Sequence, residues 1–310
     1  MLKNSDNSVQ VYRRRISAAM NFISENLFRN PSLEEIARSA HFSKFHFHRL
    51  FRAYTGETVA EFTRRIRLEQ AVNLLCYHPQ KSVTDIAYDC GFSSSQNFAK
   101  QCTKHFGIPP SQLRHNFLTQ MSREEPHPLP SPLTGETLST VPKALSPSAT
   151  NKPQALEVHI QPQLALNIAY IRFIGPYRSE TTRACIEQLI EVLMAHQVEI
   201  SSIVGVAWDN PEVTPLEKCR YDIGVLVQPK DRIPDELSVQ QLPAGDYAVY
   251  RCEVNDNDLE RPWDDLIRHW LPSSGYILSG SPGYEVFHNY ALTDPSASWE
   301  MEIYLPLVPL

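Results

Sequence analysis

Two short stretches of this 310-residue chain place polar side chains where they could read a nucleic acid. In the first, Phe45, His46, His48, Arg49 and Arg52 occupy one face of a helical segment whose other face carries Phe47, Leu50 and Phe51. Ser43 stands ahead of that segment as a cap. In the second, Ser94, Ser95, Gln96, Asn97, Lys100 and Lys104 occupy the polar face, opposite Phe98 and Cys102. Gln and Asn pair with adenine, Arg with guanine, and basic side chains with phosphate. A third group differs in kind. Glu285 lies in the apolar run Tyr284–Phe287, and a period of two points it the same way as Phe287. A buried carboxylate needs a partner. A cationic ligand among aromatic rings would supply one, and the candidate rings are Trp208, Tyr221, Tyr250, Trp263 and Trp270. The alternative is that Glu285 pairs with Arg172 or Arg251 and the rings are core.

The first two stretches need helices to hold them. Ser32 with Glu35 three residues on forms a capping box, followed by Leu33, Ile36 and Ala37, a turn at Ala40–Phe42, and the segment ending at Gly56. Ser32, Leu33, Ile36, Ala37 and Phe42 recur fifty places on as Ser82, Val83, Ile86, Ala87 and Phe92. Phe47, Phe51 and Gly56 recur fifty-one places on as Phe98, Cys102 and Gly107, so one residue is inserted near the second turn. Two copies of helix–turn–helix spacing carry more weight than one. Thr58–Tyr77 reads as one long helix joining them, and Arg15–Arg29 as an amphipathic helix before them. No carboxylate or thiol accompanies His41, His46 and His48 at metal-ligand spacing, so a metal site is rejected there.

Glu285 needs a sheet. From Leu156 strands alternate with helices over Ser179–His196 and Leu259–Leu271, which predicts α+β with a large antiparallel component. This half also repeats: Gly205 and Glu285, and Asp222 and Glu302, lie eighty residues apart, and the turn WDNPEVTP matches HNYALTDP. Gly205 and Ala207 opposite a carboxylate would leave room for a ligand at the seam of two half-units.

The expected class is therefore multi-domain: an N-terminal all-α double helix–turn–helix over 8–120, a Pro/Ser-rich linker over 121–154, and a C-terminal α+β domain of duplicated antiparallel-sheet units over 155–310. Seven prolines between Ser122 and Pro153 predict an extended tether that lets the two domains orient independently. Met1–Gln120 holds 16 Lys+Arg against 9 Asp+Glu and the remainder 13 against 26, so the overall charge of -6 hides a basic first third. No segment reads as a signal peptide or a bilayer span, which predicts a cytoplasmic chain with no membrane partner. The six cysteines form no CxxC pair and read as buried thiols.

Val11 to Asn116, with SLEEIA, FSKFHFHRLF, GFSSSQNFAK and HFGIPPSQLR, resembles the DNA-binding domain of AraC/XylS-type regulators. The resemblance implies seven helices, with two recognition helices in successive major-groove segments on one DNA face. It also implies that Phe45, His48, Arg49, Gln96, Asn97 and Lys100 contact bases or backbone. Cys102, Thr103 and Leu113 depart from the family's usual residues. Ala155–Leu310, with AYIRFIGPY, GVAWDNPEVTP, CRYDIGVLV, LPSSGY, YEVFHNY and EIYLPL, resembles GyrI-like effector-binding domains. That resemblance implies a pocket for lipophilic or cationic compounds around Glu285, in a Rob-like arrangement of the two domains. CEVND after Arg251 departs from the Gly-Pro-Tyr turn that Gly175–Tyr177 keeps.

The expected function is a sequence-specific transcription regulator that binds double-stranded DNA and a small-molecule effector, with RNA polymerase as a candidate partner. No catalytic residue, cofactor or metal is expected. The alternatives are a GyrI-like small-molecule hydrolase, and a protein-interaction module in the C-terminal half.

Overall fold

The computed structural model describes residues 3–121, 156–198, 200, 202–211, 213–255, 258–289 and 298–310. The expected linker and most of the HNYALTDP turn lie outside the described residues.

The N-terminal part folds as seven helices: α1 Lys3–Glu25, α2 Leu33–Ser39, α3 Lys44–Thr55, α4 Val59–Tyr77, α5 Val83–Asp89, α6 Ser95–Phe106 and α7 Pro110–Met121. α1 begins well before the expected Arg15, because the polar stretch ahead of it has no apolar period to read. Its core contact begins at Ile16, with Ala19, Met20 and Ile23. Ser32 accepts from the Glu35 amide while the Glu35 carboxylate accepts from the Ser32 amide, so the predicted capping box is present. Thr58 and Glu61 build a second one at the start of α4. Gly56 and Gly107 end α3 and α6 with φ of 72° and 76°, where a side chain would be strained. The two repeats have separate cores, one around Phe47, Phe51 and Phe62, the other around Phe92, Phe98 and Phe106. α4 supplies residues to both.

Nine strands form one antiparallel sheet among the described residues. They are β1 Val158–Gln163, β2 Leu166–Ile174, β3 Ile203–Ala207, β4 Arg220–Leu226, β5 Ser238–Leu242, β6 Gly245–Val254, β7 Tyr276–Leu278, β8 Gly283–Phe287 and β9 Trp299–Pro309. The order is β1-β6-β9-β8-β3-β4-β2-β5, with β7 on β9. The two half-units meet at β3–β8, and each lends its first strand to the other: β1 pairs with β6, and β5 with β2. α8, Ser179–Ala195, buries Cys185, Ile186, Leu189 and Leu193 against the sheet. The second expected helix is broken. A short α9, Arg261–Asp264, widens into a π-helical stretch, Asp265–Trp270, and tightens at Leu271–Ser273, with Pro262 and Pro272 at the two ends. Five cysteines are buried as expected and Cys252 is half-buried.

The two parts do not orient independently, contrary to the expectation from the tether. Arg172, fully buried on β2, pairs with Asp222 at 2.7 Å and donates to Asn21 Oδ1 of α1 at 2.7 Å. Asn21 in turn donates to Tyr170 Oη and Gln240 Oε1, each at 3.0 Å. Arg220 donates to Ser24 at 3.0 Å, and Lys218 to Glu57 at 3.0 Å. Apolar contacts add to this: Ile174 packs on the first helical core and Val213 joins the second. Proline content fixes a connection's flexibility but not whether the faces it connects are complementary.

Candidate DNA interface and effector cavity

α3 and α6 each put an aromatic-buried face inward and a polar face outward, as their patterns require. Phe45 is 85% exposed, and Arg49, Arg52, Gln96, Lys100 and Lys104 are exposed too. An uncovered Phe on such a face has no core to serve and suits apolar contact with a thymine methyl. Phe45 and Gln96, and Arg49 and Lys100, are matched positions fifty-one residues apart and one helical turn from each other. The remaining predicted residues are placed differently. Ser43 occupies the N-cap position of α3, but its side chain makes no cap hydrogen bond. Ser94 caps α6 by accepting from the Asn97 amide, and the Ser95 hydroxyl donates to its neighbour Gln96. His46 is exposed yet leans edge-on against Phe42 and Tyr12, with ring centroids 5.5 and 6.1 Å away. His48 and Asn97 line a groove of about 620 Å³ between the two repeats, beside Arg64 and Gln101. Arg64, exposed on α4, was not among the sequence candidates, because its helix reads as a connector.

The turns of the two repeats show how one pattern is met by two residue types. His41 adopts φ 54°, and its counterpart Gly91 adopts φ 77°. A Cβ on Gly91 would lie 2.3 Å from the Leu27 carbonyl oxygen, so only glycine fits the second turn.

In the sheet, Glu285 is 8% exposed. Tyr221 donates to one of its carboxylate oxygens, and Trp263 Nε1 to the other at 3.2 Å. Burial raises the Glu285 pKa above its ordinary value, and the two neutral donors only partly offset this. Burial and then the Glu285 charge push the Tyr221 hydroxyl well up. The expected arginine alternative fails on position: Arg172 is taken by Asp222, and Arg251 lies nearest Glu300 at 3.9 Å. Gly205 pairs directly with Glu285, as the repeat predicts. Its missing side chain makes room for the Tyr221 hydroxyl and the carboxylate themselves. Gly283 does the same for the Trp263 ring, which would meet a Cβ there at 2.8 Å.

The other predicted rings do not join Glu285. Trp208 points to the opposite sheet face and donates to Asp222 at 2.6 Å, under the Arg172 and Arg220 guanidiniums. Phe287 shares the Glu285 face but is fully buried against Trp299, at 5.4 Å between centroids. Tyr250 and Trp270 are half-buried and pack on the main core. Period-two reasoning places a residue on a face but cannot tell ligand-facing from core-facing rings. Tyr177, which sequence reasoning missed, is packed 5.6 Å from Tyr221, and its hydroxyl donates to the Arg220 carbonyl at 2.8 Å.

These groups open on one cavity of about 1090 Å³. Glu285, Tyr221, Trp263 and Tyr177 line it, as do Trp208, whose indole bonds Asp222, and residues of α1 and α4. The volume exceeds that of an ordinary drug-sized site.

Residues 156–308 match the GyrI-like small molecule binding domain, and residues 36–116 a helix-turn-helix domain. A DNA gyrase inhibitor of Yersinia enterocolitica is 35% identical over 148 residues, which are 46% of this chain and 90% of that protein. The chain belongs to the GyrI-like family. A DNA gyrase inhibitor of Serratia proteamaculans is 30% identical over 153 residues, covering 48% of this chain and 96% of that GyrI-like relative. An AraC-type transcriptional regulator from Chromobacterium violaceum matches by structure with a TM-score of 0.32 and 29% identity, covering 33% of this chain and 91% of that one. The chain joins a helix-turn-helix domain to a GyrI-like small molecule binding domain, the composition of a DNA-binding regulator with an effector domain. No helix among the described residues is long and apolar enough to cross a membrane.

Proposed function

We propose that this GyrI-like regulator senses a lipophilic organic cation through Glu285 and reads DNA through α3 and α6. The observation that carries the first part is a buried carboxylate held by two neutral donors, with no cationic side chain in ion-pair contact among the described residues. Burying an ionised carboxylate without a cation is costly. A cation that slides over Trp263 and Tyr221 supplies both the missing charge and an aromatic face. Phe45, Arg49, Gln96 and Lys100 contact base edges in this reading, and Arg52 and Lys104 the phosphates. The chain acts by binding rather than by turnover, in the cytoplasm, where its DNA is. Isothermal titration of the full chain with tetraphenylphosphonium, a multi-ring lipophilic cation, tests the sensor. Saturable binding that Glu285→Gln weakens at least tenfold supports it, and equal binding by both proteins refutes it.

A second reading rests on the GyrI-like relatives, which carry the name DNA gyrase inhibitor and align over nearly their whole length. In it the C-terminal domain binds gyrase. A gyrase supercoiling assay with the full chain decides: inhibition at stoichiometric concentrations favours it, and undiminished supercoiling removes it.

A further inference from the structure

The cavity that contains Glu285 is not confined to the GyrI-like domain. Ile66, Glu69, Gln70, Asn73, Leu74 and Tyr77 of α4 also line it. These six follow the i, i+3, i+4, i+7, i+8, i+11 spacing of one helical stripe, so a continuous face of α4 forms the far wall. The stripe is mixed in character: apolar side chains alternate with a carboxylate and two amides. It is also directly tied to the sensor domain at its middle, where Asn210 donates to Asn73 at 3.4 Å.

The same helix joins the two helix–turn–helix repeats and packs into the core of each. Phe62 and Ile66 belong to the first core, and Leu68, Ala71, Val72 and Leu75 to the second. A molecule filling the cavity therefore rests on the element that fixes the separation and angle of α3 and α6.

Charge in the cavity is mixed, since Lys81, Arg178, Arg220 and Arg268 line it too, with Lys81 paired to Asp89, Arg220 to Asp209 and Arg268 to Asp264. Glu25 at the end of α1 and Glu260 line it, and burial raises the pKa of each. Neither forms an ion pair with a described residue. Acidic groups thus stand on both sides of the domain seam, with Tyr177, Trp263 and Tyr77 between them.

We infer that the effector site is shared between the two domains: a bulky, multi-ring organic cation is held between Glu285 and the α4 stripe of the DNA-binding domain. The inference rests on the proposed sensor role of Glu285 and adds the DNA-binding half of the site to it. Its consequence is thermodynamic. A ligand that contacts both domains favours the docked arrangement, so effector and DNA change each other's affinity by one common factor.

The test is a charge swap at Gln70, which is exposed on the cavity side of α4 and whose replacement leaves the core untouched. Tetraphenylphosphonium is titrated into the full chain, Glu285→Gln, Gln70→Lys and Gln70→Glu. Gln70→Lys is expected to weaken binding, and Gln70→Glu to tighten it, each by about three- to tenfold. Opposite signs cannot arise from a damaged fold. If Glu285→Gln weakens binding while both Gln70 variants stay within twofold of the parent, the shared site is overturned and the sensor role stands. If both Gln70 variants weaken binding alike, the shared site is likewise overturned. If Glu285→Gln has no effect, or the parent chain does not bind, the sensor role falls and the shared site with it.

Discussion

Gly205 and Glu285 are cross-strand partners on the central β3–β8 pair, and the space where Gly205 lacks a Cβ is filled by the Tyr221 hydroxyl and the Glu285 carboxylate. A Cβ at position 205 would stand 2.4 Å from the hydroxyl and 2.7 Å from the carboxylate oxygen. Gly205→Ala is therefore expected to destabilise the chain by about 1–3 kcal/mol, as overpacking does. It should also weaken tetraphenylphosphonium binding by forcing the Tyr221–Glu285 pair apart. Thermal denaturation and titration of the same sample measure both.

Glu285 should give the cavity a pH dependence. Its folded pKa lies above the ordinary 4.5, so the folded state holds the proton more tightly than the unfolded one. Its stabilising contribution is complete below about pH 4.5 and declines as pH rises through the folded value. Cation binding runs the other way, because the ligand selects the carboxylate. Affinity for tetraphenylphosphonium is expected to rise with pH through the same window and then level off. Glu285→Gln should flatten that profile, and a parent profile already flat from pH 4.5 to 8 would contradict the assignment.

Arg172 is expected to be costly to remove. It is fully buried with Asp222, and it also holds Asn21 of α1. Arg172→Ala strands a buried carboxylate and should cost about 3–5 kcal/mol in chemical denaturation. Asn21→Ala leaves the ion pair intact. It should cost about 1–3 kcal/mol and loosen the docking of the two domains, seen as an increased radius in small-angle scattering.

At the DNA interface, Arg49→Ala and Gln96→Ala should each reduce discrimination among sequences by about 1–3 kcal/mol while leaving non-specific binding close to the parent. Lys104→Ala should weaken all sequences alike and lower the salt slope by about 1. Binding measured on a selected duplex and a scrambled one, over a salt series, separates the two. A uniform loss for Arg49→Ala would remove it from the base-reading set.

The turns preceding α3 and α6 offer a paired stability test. His41 takes a left-handed conformation that glycine adopts freely, so His41→Gly is expected to be neutral or stabilising by up to about 1 kcal/mol. Gly91→Ala should be destabilising by more than that, since it meets the Leu27 carbonyl as well. Melting curves of the two single variants give the comparison.

The repeats were the legible part of this fold. Capping residues, glycine stops and apolar spacing are local signals, and the copies reinforced one another, so α2 through α6 could be placed from sequence. The Gly205–Glu285 pairing was legible for the same reason. The partition of the aromatic residues was not. Trp208 and Trp263 have the same chemistry, yet one serves a buried Arg–Asp pair and the other the Glu285 carboxylate. The α4 wall was also invisible, because half of its stripe reads as ordinary polar helix surface. What makes it a wall is the docking of the second domain, which depends on contacts such as Arg172–Asn21 between residues 151 positions apart.

The exchange of β1 and β5 between half-units has a consequence for how such a cavity can arise. Neither half-unit completes its own sheet, so a single unit would be whole only as a strand-swapped pair. In a pair of identical units, the residues facing each other at the axis would have to be alike: two carboxylates repelling each other away from water, or two glycines and no charge. Joining the units in one chain releases that constraint. One copy can keep the acid while the other shrinks to accommodate it, and a symmetric scaffold acquires a site with a single charge and a single orientation for its ligand.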